Sequence, residues 1–144
     1  MRTATRPDLY LDLIHRFVRR RLGGRGFETR FLEMWRQDRD DQWAEAAAVH
    51  GDEVHKVQRQ IMQREITRDE FRRRWEEIFP PPTGPDAVFA DLIAQVFTAV
   101  EGFVANPTLG IDPATEYDVP RLRAFVAEAA RPFLDARRDE GQRA

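Results

Sequence analysis

Residues 85–104 read PDAVFADLIAQVFTAVEGFV and form the most apolar stretch of the chain. The apolar side chains recur every three or four residues, which is the spacing of one broad face of an α-helix. Pro85 suits the first turn of a helix, and Asp86 places a negative charge near its N-terminus. A stripe of this width predicts that Val88 to Val104 form the innermost helix of a bundle.

The same spacing continues on both sides of this stretch, and sustained alternation of period two is hard to find. The apolar face of the first helix is predicted to carry Leu9, Leu13, Ile14, Phe17 and Val18. Together with the central helix, five further segments are predicted to be helical: Pro7 to the Gly23-Gly24 pair, Phe27 to about His50, Glu53 to about Arg64, Thr67 to Pro80, and Asp118 to about Arg137.

Two of these helices begin at recognisable capping residues. Thr67 is followed three residues later by Glu70, which is the pattern of a capping box, and Asp118 is placed to cap the last helix. The run Pro80-Pro81-Pro82 ends the helix before it, because proline lacks an N–H donor and restricts the residue that precedes it. Residues 106–117 contain two prolines and a glycine, so they predict an ordered loop.

These elements predict an all-α fold, a compact single-domain bundle of five to six helices over residues 1–144. At this length and with 42% hydrophobic residues, the chain can bury a core large enough to offset the entropy lost on folding. The polar ends, residues 1–7 and 138–144, are expected to fray.

The composition leaves few groups for catalysis. The chain has no cysteine and no serine, and Asn106 is its single asparagine. Disulfides, zinc–thiolate sites and the commonest nucleophiles are therefore excluded, and we expect neither an enzyme nor a cofactor or metal site. No secretion signal and no apolar run of about 18 residues is present, so we expect a cytoplasmic protein without membrane contact. The oligomeric state is left open.

The charges are distributed unevenly along the chain. The formal net charge is −2, yet residues 75–120 contain no lysine or arginine and eight acids. If these acids lie on one surface, they would attract a basic partner, and nucleic-acid-binding sites are the commonest basic surfaces. The structural alternative is that some of them, such as Asp86 and Asp118, only stabilise helix N-termini.

Three other motifs admit a structural interpretation. His50 and His55 suggest a metal site, but their spacing separates them around a helix that Gly51 disrupts. Asp38, Asp40 and Asp41 read as a polar helix end, with a contact patch as the alternative. The arginines at 19–21 and 72–74 could bind phosphate, which keeps a nucleic-acid-binding or regulatory helical protein as the alternative function.

Two segments resemble the colicin D-type immunity proteins, small helical bacterial proteins that neutralise a nuclease toxin made by the same cell. The first reads FVRRRLGGRGF at 17–27, continues through FLEMW at 31–35 and ends in RQDRD at 36–40. The second comprises DLIAQVFTAVEGF at 91–103, Asn106-Pro107, and DVPRLR at 118–123.

This resemblance implies an immunity protein that inhibits a cognate tRNA-cleaving or related nuclease. An acidic surface would occupy the toxin's basic active-site cleft in place of substrate phosphates, without direct contact to nucleic acid. The implied contact residues are Glu101, Asp112, Glu116 and Asp118, with Asp38, Asp40 and Asp41 as a second patch. The structural alternative is that all seven are solvated charges on a helical bundle.

Overall fold

The computed structural model describes residues 6–104, 110–112 and 115–143, and these residues form six helices and no strand. The helices are α1 (Pro7–Val18), α2 (Gly24–His50), α3 (Glu53–Met62), α4 (Arg68–Ile78), α5 (Pro85–Glu101) and α6 (Val119–Arg143). The prediction of an all-α bundle is confirmed.

The main hydrophobic core lies between α1, the first half of α2, α5 and α6. Aromatic rings join α1 to α2: Phe17 and Phe27 stack with their centroids 4.2 Å apart, and Tyr10 meets Phe31 edge to face at 5.6 Å. Both arrangements are favourable for aromatic pairs, which stabilise a core beyond the area they bury. The other fully buried side chains of this core include Ile14, Val96, Val100, Leu122 and Val126.

A second, smaller core lies between the last part of α2, α3 and α4. Trp43 of α2 is 5.7 Å from Trp75 and 5.6 Å from Phe79, measured between ring centroids. Val54 and Val57 of α3 are buried against this aromatic group. Because α2 has 27 residues and rises about 1.5 Å per residue, it is about 40 Å long and reaches both cores.

The predicted caps are present. The Thr67 hydroxyl accepts a hydrogen bond from the Glu70 N–H at 3.1 Å, and the Asp118 carboxylate accepts one from the Arg121 N–H at 3.0 Å. Each bond satisfies an N–H that has no partner inside its helix. Helix α2 ends where Gly51 takes a φ of +61°, a conformation that glycine adopts without steric cost.

Some boundaries differ from the predicted ones. Val88 is 60% exposed and α5 ends at Glu101, so the prediction of an innermost helix over Val88 to Val104 is wrong at both ends. Leu9 is 51% exposed, although the apolar pattern predicts it on the buried face of α1. Tyr10 and Leu11, which the pattern omits, are buried instead, so the buried face of α1 is rotated relative to the predicted one.

The last helix is longer than predicted, since α6 continues to Arg143. The added part continues past Leu134, the last described residue of α6 that packs against the core, and its first residues, Arg138 and Asp139, are exposed. At the other end of the chain, α1 begins at Pro7, and residues 1–5 lie outside the described residues.

The burial difference within α1 predicts two different costs for the same substitution. Leu13 is 4% exposed, so Leu13→Ala should lower the free energy of unfolding by about 2–5 kcal/mol through lost apolar contact and a residual cavity. Leu9→Ala on the same helix should change it by less than about 0.5 kcal/mol. Urea unfolding followed by circular dichroism measures both, and equal losses would show that Leu9 is buried.

The cap of α4 can be tested in the same way. Thr67→Ala removes the acceptor of the Glu70 N–H and should cost about 1 kcal/mol of stability. Thr29→Ala, at an exposed position inside α2, is the matched control and should be neutral or slightly stabilising because alanine favours helix interiors. A Thr67→Ala protein as stable as the wild type would show that the cap contributes nothing.

Candidate functional site

The segment between α5 and α6 returns to the end of α5 through backbone hydrogen bonds. The Tyr117 N–H donates to the Gly102 carbonyl at 2.8 Å, and the Val104 N–H donates to the Tyr117 carbonyl at 2.8 Å. Phe103 and Tyr117 thereby form an isolated parallel bridge. Residues 105–109, 113 and 114 of this segment lie outside the described residues.

This bridge brings four predicted contact residues to one end of the bundle. Glu101 precedes Gly102, while Glu116 and Asp118 flank the partner residue Tyr117. Asp112 joins them because its carbonyl accepts the Glu116 N–H at 2.8 Å. The structure therefore places Glu101, Asp112, Glu116 and Asp118 on and beside a single loop.

The carboxylates of this loop also hold its shape. The Glu116 carboxylate accepts the Asp112 N–H at 2.8 Å, and the Asp112 carboxylate accepts the Thr115 hydroxyl at 3.2 Å. Asp118 caps α6. Glu101 and Asp112 are exposed, whereas Glu116 and Asp118 are half-buried. The loop thus presents negative charge from side chains whose positions its own hydrogen bonds restrict.

Gly102 permits the close approach of the loop to α5. A Cβ atom at this position would lie 2.2 Å from the Thr115 carbonyl oxygen, far inside van der Waals contact. Any side chain here would displace the backbone of the loop, because the obstructing atom belongs to the main chain. The glycine is therefore a requirement of the loop position.

The turn between α1 and α2 lies at the same end of the bundle. A Cβ atom on Gly24 would lie 2.7 Å from the Phe103 ring and 2.8 Å from Val119. This turn carries Arg19, Arg20 and Arg21, all exposed. The end of the bundle that holds the acidic loop therefore also carries exposed arginines.

The eight acids of residues 75–120 do not form one surface. Asp86 opens α5 and Glu101 closes it, and 15 residues of helix separate them by about 22 Å. The loop acids lie at the far end from Asp86. Four of the eight acids thus belong to the loop, whereas Asp86 and Asp91 lie in the first half of α5 and Glu76 and Glu77 lie on α4.

The second predicted patch is divided by burial. Asp38 is 5% exposed and faces the core beside Tyr10, so the expectation that it lies on the surface is wrong. Burial of the Tyr10 hydroxyl, and next its interaction with Asp38, raises the pKa of that tyrosine well above its usual range. Asp40 is exposed beside Arg39, and Asp41 accepts a hydrogen bond from Gln37 at 2.8 Å.

The stripe on α2 contains polar residues that the sequence pattern missed. Gln42 is also 5% exposed, and its Oε1 has no hydrogen-bond partner in the described part of the chain. Asp38 and Gln42 continue the spacing of Phe27, Phe31 and Trp35 at intervals of three and four residues. That spacing is the signal by which their burial could have been recognised.

The arginines at 72–74 do not form one phosphate site. Arg74 is only 19% exposed and donates hydrogen bonds to Glu53 at 2.6 Å and to Gln60 at 2.5 Å. The hydrogen bond from Arg74 holds the pKa of Glu53 below its usual value. Arg74 therefore fastens α4 to α3, and Arg72 and Arg73 remain exposed.

His50 and His55 serve different elements. His50 ends α2, and His55 lies on α3 with its ring 6.2 Å from that of Trp43. Within residues 6–104, 110–112 and 115–143, no group of three or more metal-binding side chains occurs. None of the described helices combines the length and the apolar character that crossing a membrane requires.

Residues 8–61 match the family described as bacterial self-protective colicin-like immunity. This segment covers α1, α2 and nearly all of α3, and it includes Asp38, Asp40 and Asp41 but not the loop between α5 and α6. No curated protein and no solved structure matches the chain. Over residues 8–61 the resemblance drawn from the sequence is confirmed, whereas the second resembling segment, at 91–123, lies outside the match.

Proposed function

We propose that this protein binds a cognate nuclease toxin, of the tRNA-cleaving or a related kind, and blocks its active site. The match of residues 8–61 to the immunity family carries this proposal. A protein of this kind acts by binding and not by catalysis. It protects the producing cell where the toxin would reach its nucleic acid, so we propose a cytoplasmic location.

We place the inhibitory contact on the loop between α5 and α6. Four carboxylates gather there, those of Glu101, Asp112, Glu116 and Asp118. A nuclease that binds a polyanion has a basic cleft, and carboxylates at this end of the bundle would pair with its cations in place of phosphate oxygens. Asp40 and Asp41 on α2 remain a second proposed patch, and the buried Asp38 leaves the proposal.

The neighbouring arginines affect how such a contact works. Because exposed Arg19, Arg20 and Arg21 lie at the same end, the long-range field there is weaker than four acids alone would give. Affinity would then depend on close ion pairs between individual carboxylates and toxin cations. Salt screens such buried pairs less than it screens the attraction between exposed charges. The arginines would discriminate between toxins by repelling a toxin whose cations lie opposite the arginines and not opposite the carboxylates.

Neutralising the loop should weaken toxin binding much more than folding. The substitutions Glu101→Gln, Asp112→Asn, Glu116→Gln and Asp118→Asn keep one acceptor oxygen in each side chain, including the one that caps α6. Because each charge that loses a buried partner costs about 2–5 kcal/mol, the fourfold variant should bind the toxin at least about 100-fold more weakly. Calorimetry with the cognate toxin domain measures the change in affinity, and stopped-flow mixing should show slower association as salt is added.

A matched control has the same change in net charge elsewhere. It neutralises four exposed acids on α1, α2, α6 and the turn before α4: Asp12, Glu33, Asp135 and Glu65. This control should bind within about twofold of the wild type, since exposed charges outside an interface contribute little. If the loop variant folds and protects cells as well as the control does, the loop is not the inhibitory surface.

The position of the loop is a separate prediction. Gly102→Ala should push the Thr115 carbonyl away from α5 and reduce toxin affinity at least about tenfold while the helical content remains. Gly23→Ala is the control, because no atom lies within 4 Å of its Cβ position. Affinity and circular dichroism are measured on both variants, and unchanged affinity in Gly102→Ala would mean that the toxin does not contact this loop.

A further inference from the structure

The turn from α1 to α2 carries four exposed arginines, Arg19, Arg20, Arg21 and Arg25, together termed the arginine turn. Residues 16–27 contain five arginines and no acid. Within the part of the chain that the structure describes, no side chain of the arginine turn forms a hydrogen bond or an ion pair. The four positive charges are therefore available to a partner.

Arg20 has a backbone conformation that favours glycine. Its φ is +62°, and the N–H groups of Arg20 and Arg21 donate to the carbonyls of Phe17 and Arg16, which closes the end of α1. A Cβ atom in this conformation crowds the following carbonyl, so glycine is the usual residue at such a helix end. Three other described positions of positive φ do hold glycine: Gly51, Gly84 and Gly110. Arginine here costs stability that glycine would not, which is typical of a side chain with a function.

Arg64 provides an internal comparison. It ends α3 with a φ of +58° and is exposed, but it lies between Gln63 and Glu65. Its turn therefore concentrates no charge. At Arg20 the strained backbone coincides with two adjacent arginines, so repulsion between like charges adds to the cost. The combination of strain and concentrated charge distinguishes the arginine turn from the turn after α3.

The arginine turn is fastened to the helix that follows the acidic loop. Arg123 in α6 donates to the Phe17 carbonyl at 2.9 Å and to the Leu22 carbonyl at 3.5 Å. Its guanidinium carbon also lies 4.8 Å from the centre of the Phe17 ring. Because α6 begins directly after Asp118 of the loop, the start of this helix positions both the arginine turn and the acidic loop.

This combination of charges selects the kind of partner. The backbone of a nucleic acid carries negative charge only, so the four acids of the loop would repel it from this end of the bundle. A folded protein presents charges of both signs, and its carboxylates can reach the arginines while its cations reach the loop. The guanidinium group also matches a carboxylate through two parallel hydrogen bonds.

We propose that the arginine turn binds carboxylates of the nuclease toxin, placed beside its basic cleft, and that Arg20 is the central contact. This inference rests on the proposed immunity function and deepens it, because it adds a second half of opposite charge to the interface. Toxins that share a basic cleft would then be distinguished by the acids beside that cleft.

Glycine at position 20 separates stability from binding. Arg20→Gly removes the backbone strain together with the charge. It should raise the melting temperature by about 1–3 °C and weaken binding to the cognate toxin domain at least about tenfold. Arg64→Gly relieves the same strain and should give a similar rise with unchanged affinity. Scanning calorimetry measures the melting temperature, and titration calorimetry measures the affinity.

Charge reversal identifies the group that Arg20 binds. Arg20→Glu keeps the strained backbone and should weaken toxin binding at least about 100-fold, whereas Arg64→Glu should bind within about twofold of the wild type. The exposed acids around the toxin cleft are then changed to arginine one at a time. One of these toxin variants should bind Arg20→Glu at least about tenfold more tightly than the unchanged toxin does, and should bind the wild-type protein more weakly.

Three results would overturn the inference while the proposed immunity function stands. The first is full toxin affinity in the Arg20 variants when the variant with a neutralised loop has lost it. The second is that no toxin acid rescues Arg20→Glu. The third is salt-dependent binding of a tRNA to the wild-type protein that Arg20→Glu abolishes, because the arginines would then serve nucleic acid. A wild-type protein that binds no nuclease toxin would overturn both proposals.

Discussion

Helix α2 is the element that both hydrophobic cores share. Its first half packs with α1, α5 and α6 through Phe27 and Phe31, and its last part packs with α3 and α4 through Trp43 and Ala46. A helix of 27 residues on its own gains little stability from backbone propensity, so contacts on both sides hold it together. Any bend in α2 would move one core relative to the other.

The polar residues in the middle of α2 lie between these cores. Asp38 and Gln42 are buried where the apolar contacts of one core give way to those of the other. Replacing them with apolar side chains of the same volume would remove the cost of burying polar groups, but it would also remove the interaction of Asp38 with Tyr10 of α1.

Most of the fold followed from local rules. The helices, the Thr67 and Asp118 caps and the end of α2 at Gly51 each depend on residues close together in the chain, which is why spacing and capping patterns predicted them.

The burial of Asp38 could not be predicted from its type, because a charged residue in an apolar stripe usually marks the end of that stripe. The separation of Asp86 from Glu101 needed only the length of α5, whereas the arginines beside the acidic loop depend on how the Gly24 turn packs against Phe103 and Val119.

The two cores also differ in the length of chain that each must close. The smaller one joins residues between Trp43 and Phe79, whereas the main one joins Tyr10 and Ile14 on α1 to Leu122 and Val126 on α6. Loop closure costs entropy that rises with the logarithm of loop length, and non-local contacts of this kind slow folding. The hairpin of α3 and α4 therefore reaches its partners on α2 over a short stretch of chain, while the main core is complete only when α6 packs against α1.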